Sequence, residues 1–222
     1  MLIAIDGPAG AGKTTVSRAL ADRLGYRYID TGALYRGVAY EVTKQAVDPE
    51  DDLDLARLCA RLELKFVEDK GNLRLFSDGT DISDRIRTPQ ITMLASAVSA
   101  RPVIRNYLLD LQRKLGQEKA AVFEGRDMGT VVFPEADLKF FLDASTRKRA
   151  LRRFEELKSK SHQTFKEVEN EIQRRDRNDS TRDLSPLKPA SDAIMIDSTN
   201  LTVNEVVDLM VSYTMKLARA ES

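Results

Sequence analysis

Residues 7–14 read Gly-Pro-Ala-Gly-Ala-Gly-Lys-Thr, an unbroken match to G-x-x-x-x-G-K-[ST] directly after the apolar run Leu2–Asp6. That run is short, nearly all apolar and closed by Gly and Pro, the pattern of a strand buried in a parallel sheet. Beyond the loop, Val16, Ala19, Leu20 and Leu24 recur at helical spacing until Gly25. Strand, glycine-rich turn and helix in this order make an anion cradle. Gly7, Gly10 and Gly12 let several N–H groups bend toward one anion, and the following helix adds its positive N-terminal end. Lys13 is expected to reach the β- and γ-phosphates and Thr14 to ligate Mg²⁺. The expected triphosphate set is therefore Gly7, Gly10, Ala11, Gly12, Lys13, Thr14 and Thr15. The loop alone serves switches, motors and small-molecule kinases alike. No Asn-Lys-x-Asp guanine-reading motif follows it, and the next catalytic strand ends Phe123-Glu124-Gly125-Arg126 rather than Asp-Glu.

The rest of the chain alternates strands with helices. Tyr26–Asp30, Ala120–Glu124, Leu138–Leu142 and Ala193–Ile196 read as further strands. Leu34–Gln45, Asp54–Leu62, 88–100 and 102–115 read as helices, and two more follow Asp143, where Asp143-Ala-Ser145-Thr146 looks like a helix start. Thr164 with Glu167, and Thr202 with Glu205, have capping-box spacing. Leu64 and Phe66, then Leu73 and Leu75, alternate with polar residues across a turn containing Lys70, Gly71 and Asn72, which predicts a hairpin. The fold class expected is α/β, a parallel sheet flanked by helices, with a small β-rich insert over about 64–87. The whole of 1–222 is expected to be a single domain, at about 100–200 residues per domain. Ligands in such sheets sit beyond the carboxyl ends of the strands. Asp6–Gly7, Asp30–Thr31, Glu124–Gly125 and Asp143 all fall there.

Charge excludes several functions. The chain has 35 Lys and Arg against 35 Asp and Glu, so broad electrostatic binding to nucleic acid or anionic membrane is not expected. One Cys (Cys59) and one His (His162) cannot build a Cys/His zinc site, which takes about four ligands. Cys59, beside Leu58 and Leu62, reads as core, and His162, between Ser161 and Gln163, as exposed and idle. No run approaches the roughly 18–20 apolar residues of a membrane helix. The start carries no basic segment of a secretory signal, so a cytoplasmic protein is expected. Nothing in the sequence demands an oligomer, and a monomer is expected.

Three arginine motifs mark the strand ends: DTGALYR (30–36), EGRDMGTVVFP (124–134) and RRDRNDSTR (174–182), the last read as following a capped helix. A phosphoryl transferase must hold two anions face to face and neutralise developing charge, and the planar, bidentate guanidinium suits that task. The third motif is expected to lie in a lid, about 174–186, that excludes water from the reaction. Asp30, Glu124 and Asp143 could each carry metal-bound waters; Glu124 is favoured.

Together, GPAGAGKTT, DTGALYR, EGRDMGTVVFP, FLDAS, RDRNDSTR and SPLKPA-DA resemble the bacterial-type cytidylate kinases over nearly the whole chain, Ile3 to about Tyr213. The family motif often begins Asp-Gly-Arg-Asp, where Glu124 here keeps the carboxylate. The resemblance implies a P-loop nucleoside monophosphate kinase fold with a β-rich insert and a short lid. It implies ATP and Mg²⁺, with CMP or dCMP as acceptor and UMP as a poor substrate. Carried over residue by residue, it places Thr31, Arg36, Arg126 and Asp127 at the acceptor, with Arg36 and Arg126 on its phosphate. It makes Ser96 and Arg105 the cytosine readers, joined by Arg182, and puts Arg175 and Asp179 on the lid side near the transferring phosphate. Lys13, Arg126, Arg175 and Asp179 are the expected catalytic groups, and Thr14 and Glu124 the expected metal-side groups. Two other readings stand beside this one: a P-loop kinase for another monophosphate or metabolite, and a non-enzymatic nucleotide-binding switch. A panel of acceptors separates them.

Overall fold

The structure is a computed structural model that describes residues 1–69, 72–158 and 163–220. The expected turn at Lys70–Gly71 and the reading of His162 lie outside the described residues. Packing divides the chain into two compact units, one formed by Met1–Tyr28 with Glu118–Ser222 and the other by Ile29–Gln117.

The first unit is built on strands β1 (Leu2–Asp6), β6 (Ala121–Glu124), β7 (Leu138–Asp143) and β8 (Ile194–Asp197). With β2 (Arg27–Asp30), within which the boundary between units falls, the strand order is β2-β6-β1-β7-β8. β1 pairs in parallel with β6 (Ile3 opposite Val122) and with β7 (Ile3 opposite Leu138), and β7 with β8. Every residue of β1 and of β6 is buried, which is why both read as apolar runs up to their terminal carboxylates Asp6 and Glu124. Helices α1 (Lys13–Leu24), α6 (Thr146–Leu157), α7 (Phe165–Thr181) and α8 (Val203–Ala220) complete the unit. Val16 and Leu20 of α1 and Val206, Val207 and Met210 of α8 share one core with Ile3, Ile5, Phe140 and Leu142. Both predicted capping boxes form. Glu167 N–H donates to Thr164 Oγ1 at 3.3 Å while Thr164 N–H donates to Glu167 Oε2 at 2.7 Å. Thr202 and Glu205 repeat the exchange at the start of α8. Ser145 caps α6 through its hydroxyl.

The second unit contains α2 (Thr31–Lys44), α3 (Asp52–Arg61), the antiparallel strands β3 (Leu64–Asp69), β4 (Asn72–Ser77) and β5 (Thr80–Asp81), then α4 (Pro89–Val98) and α5 (Pro102–Gly116). The predicted β insert is this three-stranded sheet, ordered β3-β4-β5. Leu34, Val38, Leu58, Leu75, Ile91 and Ile104 make its core, and Cys59 belongs to it; burial pushes the Cys59 thiol up to about 11. Asp30, Asp51 and Thr88 cap α2, α3 and α4, and Pro89 and Pro102 occupy first-turn positions where no N–H is missed. Glu41 of α2 is fully buried. Burial alone would raise its carboxyl, but hydrogen bonds from Gln45, Lys44 and Ser77 outweigh that and hold it low.

Two elements differ from the sequence reading. The run Arg174–Thr181 does not follow the capped helix: it is that helix, since α7 extends to Thr181. Nothing at 174 breaks the helix, because neither Gly nor Pro occurs between Phe165 and Arg182. The second is a π-helical turn at Met128–Val132, which no local pattern announces. Among the described residues no helix is long and apolar enough to cross a membrane.

Candidate active site

The loop between β1 and α1 adopts the conformation its glycines permit. Gly7 has φ of 148°, and a Cβ there would stand 2.0 Å from the Leu142 carbonyl oxygen, so the loop meets β7 backbone to backbone. At Gly10, with φ of 76°, a Cβ would come within 3.0 Å of the Arg149 carbonyl. Lys13 is buried, and its ammonium donates to the Gly7 and Pro8 carbonyls at 2.7 Å each. Burial first, then the neighbouring Arg126 charge, hold that ammonium well below the ordinary lysine value; Glu124, Asp6 and Asp179 pull the other way.

Thr14 and Glu124 meet. Thr14 Oγ1 donates to Glu124 Oε1 at 2.8 Å, and Tyr28 OH donates to the same oxygen at 2.7 Å. The site thus offers hard oxygen donors side by side at the mouth of the loop, which fits Mg²⁺. Among the described residues no three His, Cys, Asp or Glu gather as a ready metal cage. An ion here would draw further oxygens from water and phosphate, as Mg²⁺ commonly does. Asp30, the rival carboxylate, is committed elsewhere: it caps α2 through the Ala33 N–H at 3.0 Å and pairs with Arg36 at 2.7 Å.

Arg126, at the end of β6, pairs with Asp179 of α7, Nε to Oδ2 at 3.0 Å. Arg175 lies one turn before Asp179 on α7. Burial lowers its guanidinium to about 10, and Arg126 adds like-charge repulsion. Its Nε is buried with no hydrogen-bond partner among the described residues. Burial would raise Asp179, yet Arg126 and Arg175 together hold it below the usual range. Arg126 thus repels both Lys13 and Arg175, a strain that a polyanion would relieve and an arrangement typical of functional sites. Arg182, at the end of α7, donates through Nε to the Ser185 carbonyl at 2.7 Å.

Asp127 is buried, and its carbonyl accepts from Val131 and Val132, which starts the π-helical turn. That turn is held from a distance. Asp6, at the end of β1, accepts the Met128 and Gly129 N–H groups at 2.8 Å each. Burial raises the Asp6 carboxyl to about 6, although both bonds lower it. Its folded value lies above the ordinary 3.8, so its contribution to stability is fully present below pH 3.8 and is lost as pH rises through about 6. This group alone should lower the unfolding free energy by about 3 kcal/mol over that window. Asp6→Asn should lack that slope. Urea titrations of both proteins from pH 4 to 7 check it, and parallel curves would show that Asp6 titrates as an ordinary carboxylate.

The second unit carries the other expected acceptor residues. Thr31 begins α2 and is buried. Arg36, one turn on, is paired with Asp30, and its Nε is buried without a partner among the described residues. Arg87 approaches the same Asp30 oxygen at 3.8 Å. Ser96 and Arg105 are linked through Ser99: its hydroxyl donates to the Ser96 carbonyl at 2.8 Å, and its carbonyl accepts from Arg105 at 3.1 Å. Arg105 also stands 5.7 Å from the centre of the Tyr35 ring. Thr31, Arg36, Ser96 and Arg105 thus fall in the second unit; Arg126, Asp127 and Arg182 fall in the first.

Two arginines of α6 escape the sequence reading. Arg149 Nη1 donates to the Ala9 carbonyl and Arg152 Nη1 to the Ala11 carbonyl, both at 3.1 Å. Both carbonyls belong to the glycine-rich loop. Nothing in the composition of α6 separates these two from Arg147, Lys148 and Arg153 beside them. Only the one-turn spacing of 149 and 152 could have signalled a shared face.

Comparison with known proteins agrees with the motifs. A family model described as cytidylate kinase matches residues 3–216. The cytidylate kinase of Geobacter sulfurreducens is 49% identical over 221 residues, covering 99% of this chain and 95% of that protein. Cytidylate kinase 1 of Haemophilus influenzae is 41% identical over 217 residues, covering 97% and 94%. Among solved structures, shikimate kinase from Acinetobacter baumannii in complex with shikimate superposes with a TM-score of 0.50 at 14% identity, covering 97% and 93%. That likeness concerns the fold alone.

Proposed function

The chain belongs to the cytidylate kinase family, and from that premise we propose that it transfers the γ-phosphoryl group of ATP to CMP or dCMP, giving ADP and CDP or dCDP. The observation that supports this most is the cation group Lys13, Arg126 and Arg175, of which Arg175 is half-buried with a buried, unused Nε–H, beside a complete phosphate loop. The loop N–H groups and Lys13 take the ATP phosphates, with Gly7, Gly10, Ala11, Gly12, Thr14 and Thr15 around them. Thr14 and Glu124 would hold Mg²⁺, which when bound would neutralise phosphate charge. Arg36 and Arg126 hold the CMP phosphate. An ionised phosphate oxygen is already a nucleophile, so no strong general base is needed and catalysis is positioning plus electrostatics. Cytosine presents the acceptors O2 and N3, to which Ser96, Arg105 and Arg182 can donate, and an amine whose N–H can donate to Asp127. Thr31 lies beside the acceptor. Arg175 and Asp179 act from α7, within a lid over 174–186 that excludes water. In this reading residues 1–222 work as one kinase domain with a β insert at 64–87, as a monomer in the cytoplasm without nucleic-acid or membrane partners.

A coupled ADP-release assay with CMP, dCMP, UMP, AMP and GMP tests the proposal. CMP and dCMP should be turned over best, with UMP poor. AMP preferred over CMP would overturn it in favour of another monophosphate kinase, and ATP binding without acceptor-dependent turnover would favour a switch.

A further inference from the structure

Arg149 holds the glycine-rich loop and α7 with a single guanidinium. The residue is 5% exposed. Its Nε donates to the Ala144 carbonyl at 2.8 Å, and Nη2 donates to Thr146 Oγ1 at 3.1 Å. Nη1 donates to the Ala9 carbonyl at 3.1 Å and to Asp176 Oδ1 at 3.0 Å. Nη2 meets Asp176 Oδ2 at 2.7 Å, which completes a two-point ion pair. The first two contacts anchor the side chain to the start of α6. The others join two segments that are 167 residues apart in sequence, Ala9 and Asp176.

The peptide between Ala9 and Gly10 is trans, as are all peptides among the described residues. In a planar trans peptide the C=O and the next N–H point in opposite directions. Drawing the Ala9 oxygen toward α6 therefore turns the Gly10 N–H away from Arg149. At Gly10 the loop also runs close to α6: a Cβ there would stand 3.0 Å from the Arg149 carbonyl oxygen and 3.1 Å from the Arg149 Cβ. Asp176 lies one turn before Asp179, whose carboxylate holds Arg126. The end of α7 therefore presents one carboxylate to Arg149, which in turn holds the loop, and another to Arg126.

We infer that Arg149 and Asp176 are positioning residues for the donor nucleotide: their ion pair fixes the Ala9–Gly10 peptide with its N–H toward the triphosphate and ties that peptide to the lid helix. The inference rests on the kinase reading in taking this loop as the donor site. Arg149 acts through the backbone and touches no reacting atom.

Equilibrium binding of ATP and of CMP, each alone, separates this role from a merely structural one. The variants are Asp176→Asn, which keeps shape but loses charge, and Arg149→Lys, which keeps charge but loses the planar fork. Asp176→Asn should weaken ATP binding about tenfold, the scale of one charge-assisted hydrogen bond, and Arg149→Lys should weaken it further. CMP binding should stay within about twofold, as no acceptor group is touched. Asp176→Glu, which restores the carboxylate, should recover most of the loss. ATP affinity unchanged or tighter in Asp176→Asn would overturn the inference, as would an equal loss for CMP. The Asp176 side chain is 26% exposed, so this variant decides the matter even where Arg149→Lys does not fold. Should the wild type bind ATP but fail to phosphorylate CMP, the functional reading falls while the ATP affinities still judge the positioning role.

Discussion

Arg126→Ala should lower kcat/KM for CMP by about 10²- to 10³-fold, with ATP affinity changed only a few-fold. In the structure this guanidinium is paired with Asp179 at 3.0 Å and lies close enough to Lys13 and Arg175 to push both down. Binding of a monophosphate must draw it into a new pairing. The gain is largest where charge develops, because a preorganised, partly buried guanidinium costs little to reorganise. Removing it also leaves Asp179 with fewer cations; its carboxyl should then rise toward the ordinary range, since Arg126 is the foremost of the charges that lower it. Arg126→Lys should recover only part of the rate, because an ammonium cannot grip a phosphate at two points. Steady-state kinetics with CMP varied at saturating ATP check this. Unchanged CMP kinetics in a folded Ala variant would remove Arg126 from the acceptor site.

Legibility in the sequence followed the range of the forces involved. Features fixed by neighbours within a few residues were readable: the strand–loop–helix around Gly7, the end of α1 at Gly25, the capping boxes at Thr164 and Thr202, and the hairpin from Leu64. Each depends on backbone chemistry that one residue type satisfies locally. The phosphate loop was readable for the same reason. What could not be read depends on partners far along the chain. The π-helical turn at Met128–Val132 exists because Asp6, over a hundred residues earlier, accepts two of its N–H groups. The loop-holding role of Arg149 needs Ala9 and Asp176 brought together, and α6 is so rich in basic residues that no single one stands out. The division into two units falls inside β2, a four-residue strand with no linker signal. The arginine run at 174–182 was recognised for its chemistry but placed after a helix that in fact contains it. Charge pattern carries no information about the backbone those residues stand on, which α7 supplies.

Lys13→Met should reduce kcat by about 10³-fold or more while leaving the nucleotide-free protein as stable as the wild type or slightly more so. The two halves of this expectation come from one fact. Lys13 is a buried cation whose partners are two carbonyls of its own loop and whose charge is opposed by burial and by Arg126. Its folded value is depressed, so the stability it contributes is present in full above the ordinary 10.5 and lost as pH falls through the lowered value. At neutral pH the charge is thus a cost to the folded state, and an apolar side chain of similar length removes that cost. The same charge becomes an asset once phosphates displace the Gly7 and Pro8 carbonyls, and more so as negative charge builds on the transferred group. Thermal unfolding with and without ATP, beside single-turnover phosphoryl transfer to CMP, measures both halves. The wild type should gain melting temperature with ATP, and the Met variant should gain much less. A Met variant with kcat within tenfold of the wild type would mean that Lys13 braces the loop and takes no part in phosphoryl transfer.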